Sequence, residues 1–208
     1  MTRAYRNFSE LASQELEGRD FEIGYRLGAP EVAIMAPHGG KIEPGTYRIA
    51  RAIAGEHYSF YGFRGIKTDG NRRLHLTSSR FDEPRALLVA GHAQLIITIH
   101  GLRADLPDIL IGGRHHQLQK QLVTGLRAAG FSARPATTVG LLGRHPANLC
   151  NRGTSGMGVQ LELSKALRQN LFSSGRASDG AKPTALFSLL TRTTATLIAN
   201  HLAPPGPR

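Results

Sequence analysis

Two histidines and two glutamates in this chain have the residue types and placement that hydrolytic metal chemistry needs. His38 follows the apolar run 32–36 (VAIMA), and His100 closes the run 94–99 (QLIITI). Glu162 lies inside 158–163 (GVQLEL), and Glu43 stands five residues beyond His38, across Gly39-Gly40. Apolar runs of this length bounded by turn residues read as strands buried on both faces. If those strands run parallel and side by side, their carboxyl ends converge on one patch. His38, Glu43 and His100 then form the His₂Glu set of a catalytic zinc site, with a fourth position left for water. The glycine pair lets the backbone double back, so that His38 and Glu43 reach one ion. Glu162 would be the general base that takes a proton from water and hands it to a leaving amine. From the residues alone an alternative stays open. A histidine after a buried strand is commonly structural, and a glutamate in a strand is commonly capped or ion-paired.

The elements that must position these groups alternate along the chain. Strands are expected at 21–27, 32–36, 57–63, 74–77, 94–99, 108–111 and 158–163, with an edge strand at 131–136. Helices are expected at 9–17 behind a Ser9 cap, at 44–54 with Pro44 in the first turn, and from the Asp82 cap to Gly91. Others are expected at 114–129, stopped by Gly130, from Lys165 onward, and at 183–202. Residues 173–182 read as a flexible loop and 203–208 as a disordered tail. Alternation of this kind predicts an α/β fold: one domain over 1–208, built on an open, mixed, mostly parallel sheet flanked by helices. Ligands of such sheets sit at the carboxyl ends of strands, near a point where strand order reverses.

Composition narrows the function. The 208 residues are 40% hydrophobic and 20% charged, enough for one core and too few charges for wholesale disorder. No run approaches a membrane span, and the first residues lack the apolar stretch of a secretion signal. The single cysteine, Cys150, excludes a disulfide framework and any two-cysteine zinc site. As a nucleophile it is disfavoured, because its base would have to come from the same patch, where His100 is spent on metal. Lys and Arg total 26 against 15 acidic residues, a net charge of +11, which suits a polyanionic partner. Nucleic acid is the less favoured polyanion. Trp is absent, aromatics are 6%, and no helix-turn-helix signature is present.

The segments MAPHGGKIEPGT, HLTSSRFDEP, ITIHG and NRGTSGMGVQLELS resemble, in this order over most of residues 20–200, the poly-γ-glutamate hydrolase family, which includes phage-encoded depolymerases. The resemblance implies a zinc-carboxypeptidase-like fold, one zinc ion per chain, and hydrolysis of the γ-glutamyl amide bonds of poly-γ-glutamate. It places His38, Glu43 and His100 on the zinc ligands and Glu162 on the catalytic carboxylate. A zinc amidase or deacylase acting on another acidic amide, such as a γ-glutamyl peptide, is the alternative within the same chemistry. A capsule polymer lies outside the cell while the chain shows no export signal, so a cytoplasmic protein, or one released by lysis, is expected.

Such a substrate carries one free carboxylate per residue, which arginine pairs with bidentately. Arg80, ahead of a helix, and Asn151-Arg152, in the loop before the Glu162 strand, are the substrate-binding candidates. Lys41 is expected to face solvent. His75 is read as a buried, satisfied histidine, with a hydrogen bond supporting a metal ligand as its other possible role.

Overall fold

Apolar runs and alternating segments supply seven strands: β1 (Phe21–Arg26), β2 (Ala29–Gly40), β3 (Tyr58–Gly65), β4 (Leu95–Leu102), β5 (Ile109–Gly113), β6 (Ala133–Pro135) and β7 (Val159–Ser164). The helices are α1 (Phe8–Ala12), α2 (Thr46–Ala54), α3 (Pro84–His92), α4 (His116–Ala128), α5 (Lys165–Asn170) and α6 (Ala185–Leu202). They come from a computed structural model that describes residues 4–173, 175, 177 and 180–203. The strands form one sheet in the order β1-β3-β2-β4-β7-β5-β6. β3, β2, β4 and β7 are mutually parallel; β1 pairs antiparallel with β3, and β5 antiparallel with β7. The α/β architecture expected from the alternation is the one found.

Each face of the sheet has its own core. Val32, Ile34 and Ala36 of β2, Ile97 and Ile99 of β4, and Leu161 and Leu163 of β7 pack with α2, α4 and α6. Alternate positions on the same strands, Ala33, Met35 and Ile96, turn to the other face with Phe63, Leu76, Phe81 and α3 residues Ala86 and Val89. Period-two burial on both sides is why the central runs are apolar throughout. Each Val, Leu, Ile, Phe or Met among them contributes roughly 1.5–3 kcal/mol through burial.

The chain leaves β2 toward β3 on one side, then crosses back to β4 on the other. The β2/β4 boundary is therefore the switch point at which parallel sheets open a crevice.

Several local expectations are corrected. β2 does not stop at Ala36; Gly39 and Gly40 still pair with Arg64 and Gly65. A side chain at Gly39 would meet Tyr47 Cβ at 2.7 Å, and Gly40 has φ +62°, so glycine is what permits this close pairing. Residues 74–77 form no strand. Asn71–Leu74 is a 3-10 turn, and although Leu74 and Leu76 alternate inward, their backbone has no ladder to join. Pro44 lies outside α2, whose N-cap is Gly45. Glu83, not Asp82, caps α3 by accepting from Ala86 N; Asp82 accepts from Phe8 N instead. Helix α1 spans only Phe8–Ala12, capped by Asn7. Of the expected loop 173–182, residues 174, 176, 178 and 179 lie outside the described residues, as do 204–208 of the expected tail.

Candidate active site

His38, Glu43, His75, His100 and Glu162 line one cleft of about 990 Å³ at the carboxyl ends of β2, β4 and β7. His100 and Glu162 are register partners on β4 and β7 and leave the sheet on the same face. Strict alternation would send His38 to the opposite face, with Ala36 and Ile34. A register shift between Ala36 and Gly39 against β3 adds one residue to β2 there. That bulge re-aims His38 onto the His100 face, where its ring meets Phe81 edge-on.

Glu43 arrives by the doubling back that the glycines allow. Its N–H donates to His38 O at 2.8 Å, and its Oε1 stands 3.4 Å from His38 Nδ1. Its Oε2 accepts from Gly101 N at 2.8 Å. His38 Nε2 donates to Leu76 O at 2.6 Å, which leaves Nδ1 as the ring nitrogen that faces the cleft. That Nδ1 is 3.2 Å from His100 Nδ1, and His100 Nδ1 is 3.8 Å from Glu43 Oε2. Lone pairs facing one another in this way repel unless a proton or a cation lies among them. Ligand atoms about 2.0–2.2 Å from a tetrahedral zinc stand about 3.3–3.6 Å apart, and Glu43 Oε1 stands 3.4 Å from both His38 Nδ1 and His75 Nε2.

His75 adds a fourth imidazole-or-carboxylate group. Among the described residues, the group of metal-ligating side chains whose donor atoms all lie within 4.8 Å of one another is His38, Glu43 and His75, without His100. The His75 ring stacks on His38 at 3.8 Å and 18°, and the His38 and His100 rings are tilted by 55°. His75 is 41% exposed, with Nε2 3.4 Å from Glu43 Oε1. It is therefore not the buried, satisfied histidine expected but a third donor beside His38 and Glu43.

The charges respond to this crowding. Burial alone would raise the Glu43 carboxyl. The His38 charge, hydrogen bonds from His38 and His75, and the His100 charge outweigh it and hold Glu43 well below the usual carboxylate range. Burial, chiefly, pushes His100 down to about 3. Glu162 is pushed up to about 8, by burial first and by the negative charge of Glu43 second.

Three residues expected on the substrate are placed elsewhere. Arg80 is exposed and does not line the cleft. Arg152 donates to the carbonyls of Ala147, Phe81 and Ser79, which makes it a strut between loops. Asn151 is buried, with Nδ2 on Gly143 O and His145 O and Oδ1 accepting from Gly158 N. The cations that line the cleft are Lys41, Arg72, Arg103, Arg144, Lys165 and Arg168, against the carboxylates Glu43 and Glu162. Sequence reading singled out only Lys41 among these, and expected it to face solvent, because scattered basic residues carry no local signal of which face they share. Arg168 is 5% exposed and donates to Leu163 O and Pro44 O. Cys150 is buried away from the cleft lining, and burial pushes its thiol up to about 12, which makes it a poor nucleophile.

Known proteins resemble this chain over four fifths of its length or more. The family model described as poly-gamma-glutamate hydrolase matches residues 5–193. YmaC of Bacillus subtilis (strain 168) is 38% identical over 170 residues, 81% of this chain and 72% of YmaC. YndL of the same strain is 37% identical over 172 residues, 81% of this chain and 66% of YndL. Among solved structures, a bacteriophage poly-gamma-glutamate hydrolase superposes with a TM-score of 0.92 at 31% identity, covering 96% of this chain and 98% of its own. A zinc-free apo structure of YndL gives 0.91 at 33% identity, covering 97% and 100%. N-formylglutamate amidohydrolase from Ralstonia eutropha JMP134, 10% identical at a TM-score of 0.53 with 88% and 98% covered, shares the fold alone.

Proposed function

This chain belongs to the poly-gamma-glutamate hydrolase family, and from that premise we propose that it is a zinc-dependent hydrolase of the γ-glutamyl amide bonds of poly-γ-glutamate. The observation that carries the reading is one cleft with three convergent ligand side chains and a buried carboxyl on its floor and basic residues around its wall. Zinc is supported by the donor set itself and by a relative whose apo structure is described as zinc-free.

His38 and Glu43 would hold one zinc ion per chain together with His75, whose Nε2 meets the same Glu43 oxygen as His38 Nδ1, and with His100 facing the other oxygen; the chemistry of that ion is to polarise a carbonyl and acidify water. Gly101 N holds Glu43 Oε2 and leaves Oε1 to His38 and His75. Leu76 O fixes the His38 tautomer, and Ser78 Oγ lies 3.4 Å from His100 Nε2 on the far side of that ring. Glu162 takes one proton from the attacking water as the water oxygen bonds to the amide carbon. The C–N bond then breaks, and Glu162 returns the proton to the leaving nitrogen. Burial and the Glu43 charge raise the Glu162 carboxyl in the metal-free site; a divalent cation held by Glu43 would offset that charge and bring the carboxyl back toward the neutral range, where it can both take and return a proton. Lys41, Arg72, Arg103, Arg144 and Lys165 meet the free carboxylates along the polymer. We keep a cytoplasmic or lysis-released location as part of this reading. Among the described residues, no helix is long and apolar enough to cross a membrane.

Incubation with poly-γ-glutamate, with and without a chelator, tests the reading by the fall in polymer length on a sizing column. Chelator-sensitive shortening is expected. Intact polymer in the presence of added zinc would overturn the substrate, and undiminished shortening after full chelation would overturn the metal.

A further inference from the structure

Gln160 lies two residues before Glu162 on the same face of β7, and both are buried. Gln160 Nε2 stands 2.8 Å from Glu162 Oε1. On its other side, Asn148 Nδ2 stands 3.0 Å from Gln160 Oε1, and Asn148 Oδ1 accepts from Cys150 N at 3.1 Å. The direction of this chain is fixed at its far end. A backbone N–H can only donate, so Asn148 must offer oxygen to Cys150 and nitrogen to Gln160. Gln160 must then offer oxygen to Asn148 and nitrogen to Glu162. Gly143 closes over Gln160: a Cβ there would fall 3.2 Å from Gln160 Cβ and 3.3 Å from its amide carbon. The glutamine therefore has little room to turn aside.

We propose that Asn148 and Gln160 are positioning residues for Glu162, a relay that pins Oε1 as an acceptor and leaves Oε2 as the oxygen that receives the proton from water. The relay rests on Glu162 acting as the base in the function proposed above. It assigns two neutral amides on the cleft floor a part in turnover, although neither touches a reacting atom.

Three variants test it beside Glu162→Gln. Gln160→Leu keeps the volume and removes the donor. Asn148→Ala removes the first link without adding charge. Asn148→Asp keeps the shape and still accepts from Cys150 N, but it cannot donate. It would turn the Gln160 amide around and aim its oxygen at Glu162. The expected result is a fall in kcat of roughly 10–100-fold for Gln160→Leu and Asn148→Asp, the range seen when groups behind a site's direct ligands are removed. Asn148→Ala should lose less than Asn148→Asp. KM and zinc content should stay near those of the unmodified protein. A second readout is independent of turnover. The Gln160 side-chain NH₂ signal in ¹H–¹⁵N spectra should be shifted and slow to exchange, and its position should change in Asn148→Asp, where the turned amide donates to the substituted carboxylate instead of to Glu162. Unchanged kcat in Gln160→Leu, or an Asn148→Ala loss as large as that of Asn148→Asp, would overturn the relay while an inactive Glu162→Gln left the base in place. An active Glu162→Gln would instead overturn the base reading itself. Should Gln160→Leu fail to fold, the Asn148 pair and the spectra decide alone.

Discussion

His100 and Glu162 stand directly opposite each other on β4 and β7, so one parallel ladder sets a candidate ligand beside a candidate base. Side chains on such a rung share a face and a depth. His38 joins them only because the bulge between Ala36 and Gly39 turns it over, and Glu43 only because its N–H folds back onto His38 O. The chemistry depends on this relationship being rigid, and each prediction below disturbs one part of it.

His38→Ala should bind well below one zinc per chain, where the unmodified protein should bind about one. Metal analysis after dialysis checks this. Zinc added at about 100 times its dissociation constant should stabilise the unmodified protein by about 2.7 kcal/mol and leave the His38→Ala midpoint nearly fixed.

Glu162→Gln should retain zinc and lose roughly 10²–10⁴-fold in kcat, the range for removing a general acid–base group. Steady-state kinetics with parallel metal analysis separates this from loss of the ion.

The stability of metal-free protein should fall as pH rises between 4.5 and about 8, through Glu162. Below 4.5 the group is protonated whether the chain is folded or not. Above that, the unfolded chain ionises while the folded one must keep the proton, up to its raised value of about 8. The cost is at most about 1.4 kcal/mol per pH unit across this window. Glu43 has the opposite sign: its depressed value favours the fold above 4.5, and that contribution is lost as pH falls. Thermal midpoints of Glu162→Gln minus unmodified protein should therefore rise from pH 4.5 to 8 and then level off.

Arg144→Ala and Arg103→Ala should raise KM for the polymer and lessen its dependence on salt, with thermal midpoints unchanged, because both side chains are exposed on the cleft wall. Arg152→Ala should do the reverse. It strands the carbonyls of Ala147, Phe81 and Ser79 and should cost roughly 1–3 kcal/mol of stability, with little change in KM.

Gly101→Ala should weaken zinc binding although Gly101 is no ligand. A Cβ there would fall 2.9 Å from Glu43 Cβ and 2.8 Å from the Arg168 guanidinium carbon, so Glu43 must move. A zinc titration that matches the unmodified protein would show that the site absorbs the displacement.

The central strands and the residues at their outlets are written in the local sequence. Runs such as VAIMA and QLIITI are apolar at every position because both faces of a central parallel strand are covered, and that demand is written locally. His38, Glu43, His100 and Glu162 were legible because each sits at or near such a run, or across a glycine turn from one. Tertiary structure decided what depends on distant segments. Whether His38 pointed to one face or the other turned on a single bulge residue against β3, and a shift of one residue reverses every side chain. The cations of the cleft come from five separate segments between Lys41 and Arg168, so no spacing in the chain announces them. Arg152 and Asn151 had the right chemistry for carboxylates, yet buried carbonyls claimed their donors first, because an unpaired buried polar group costs more than a solvated one gains.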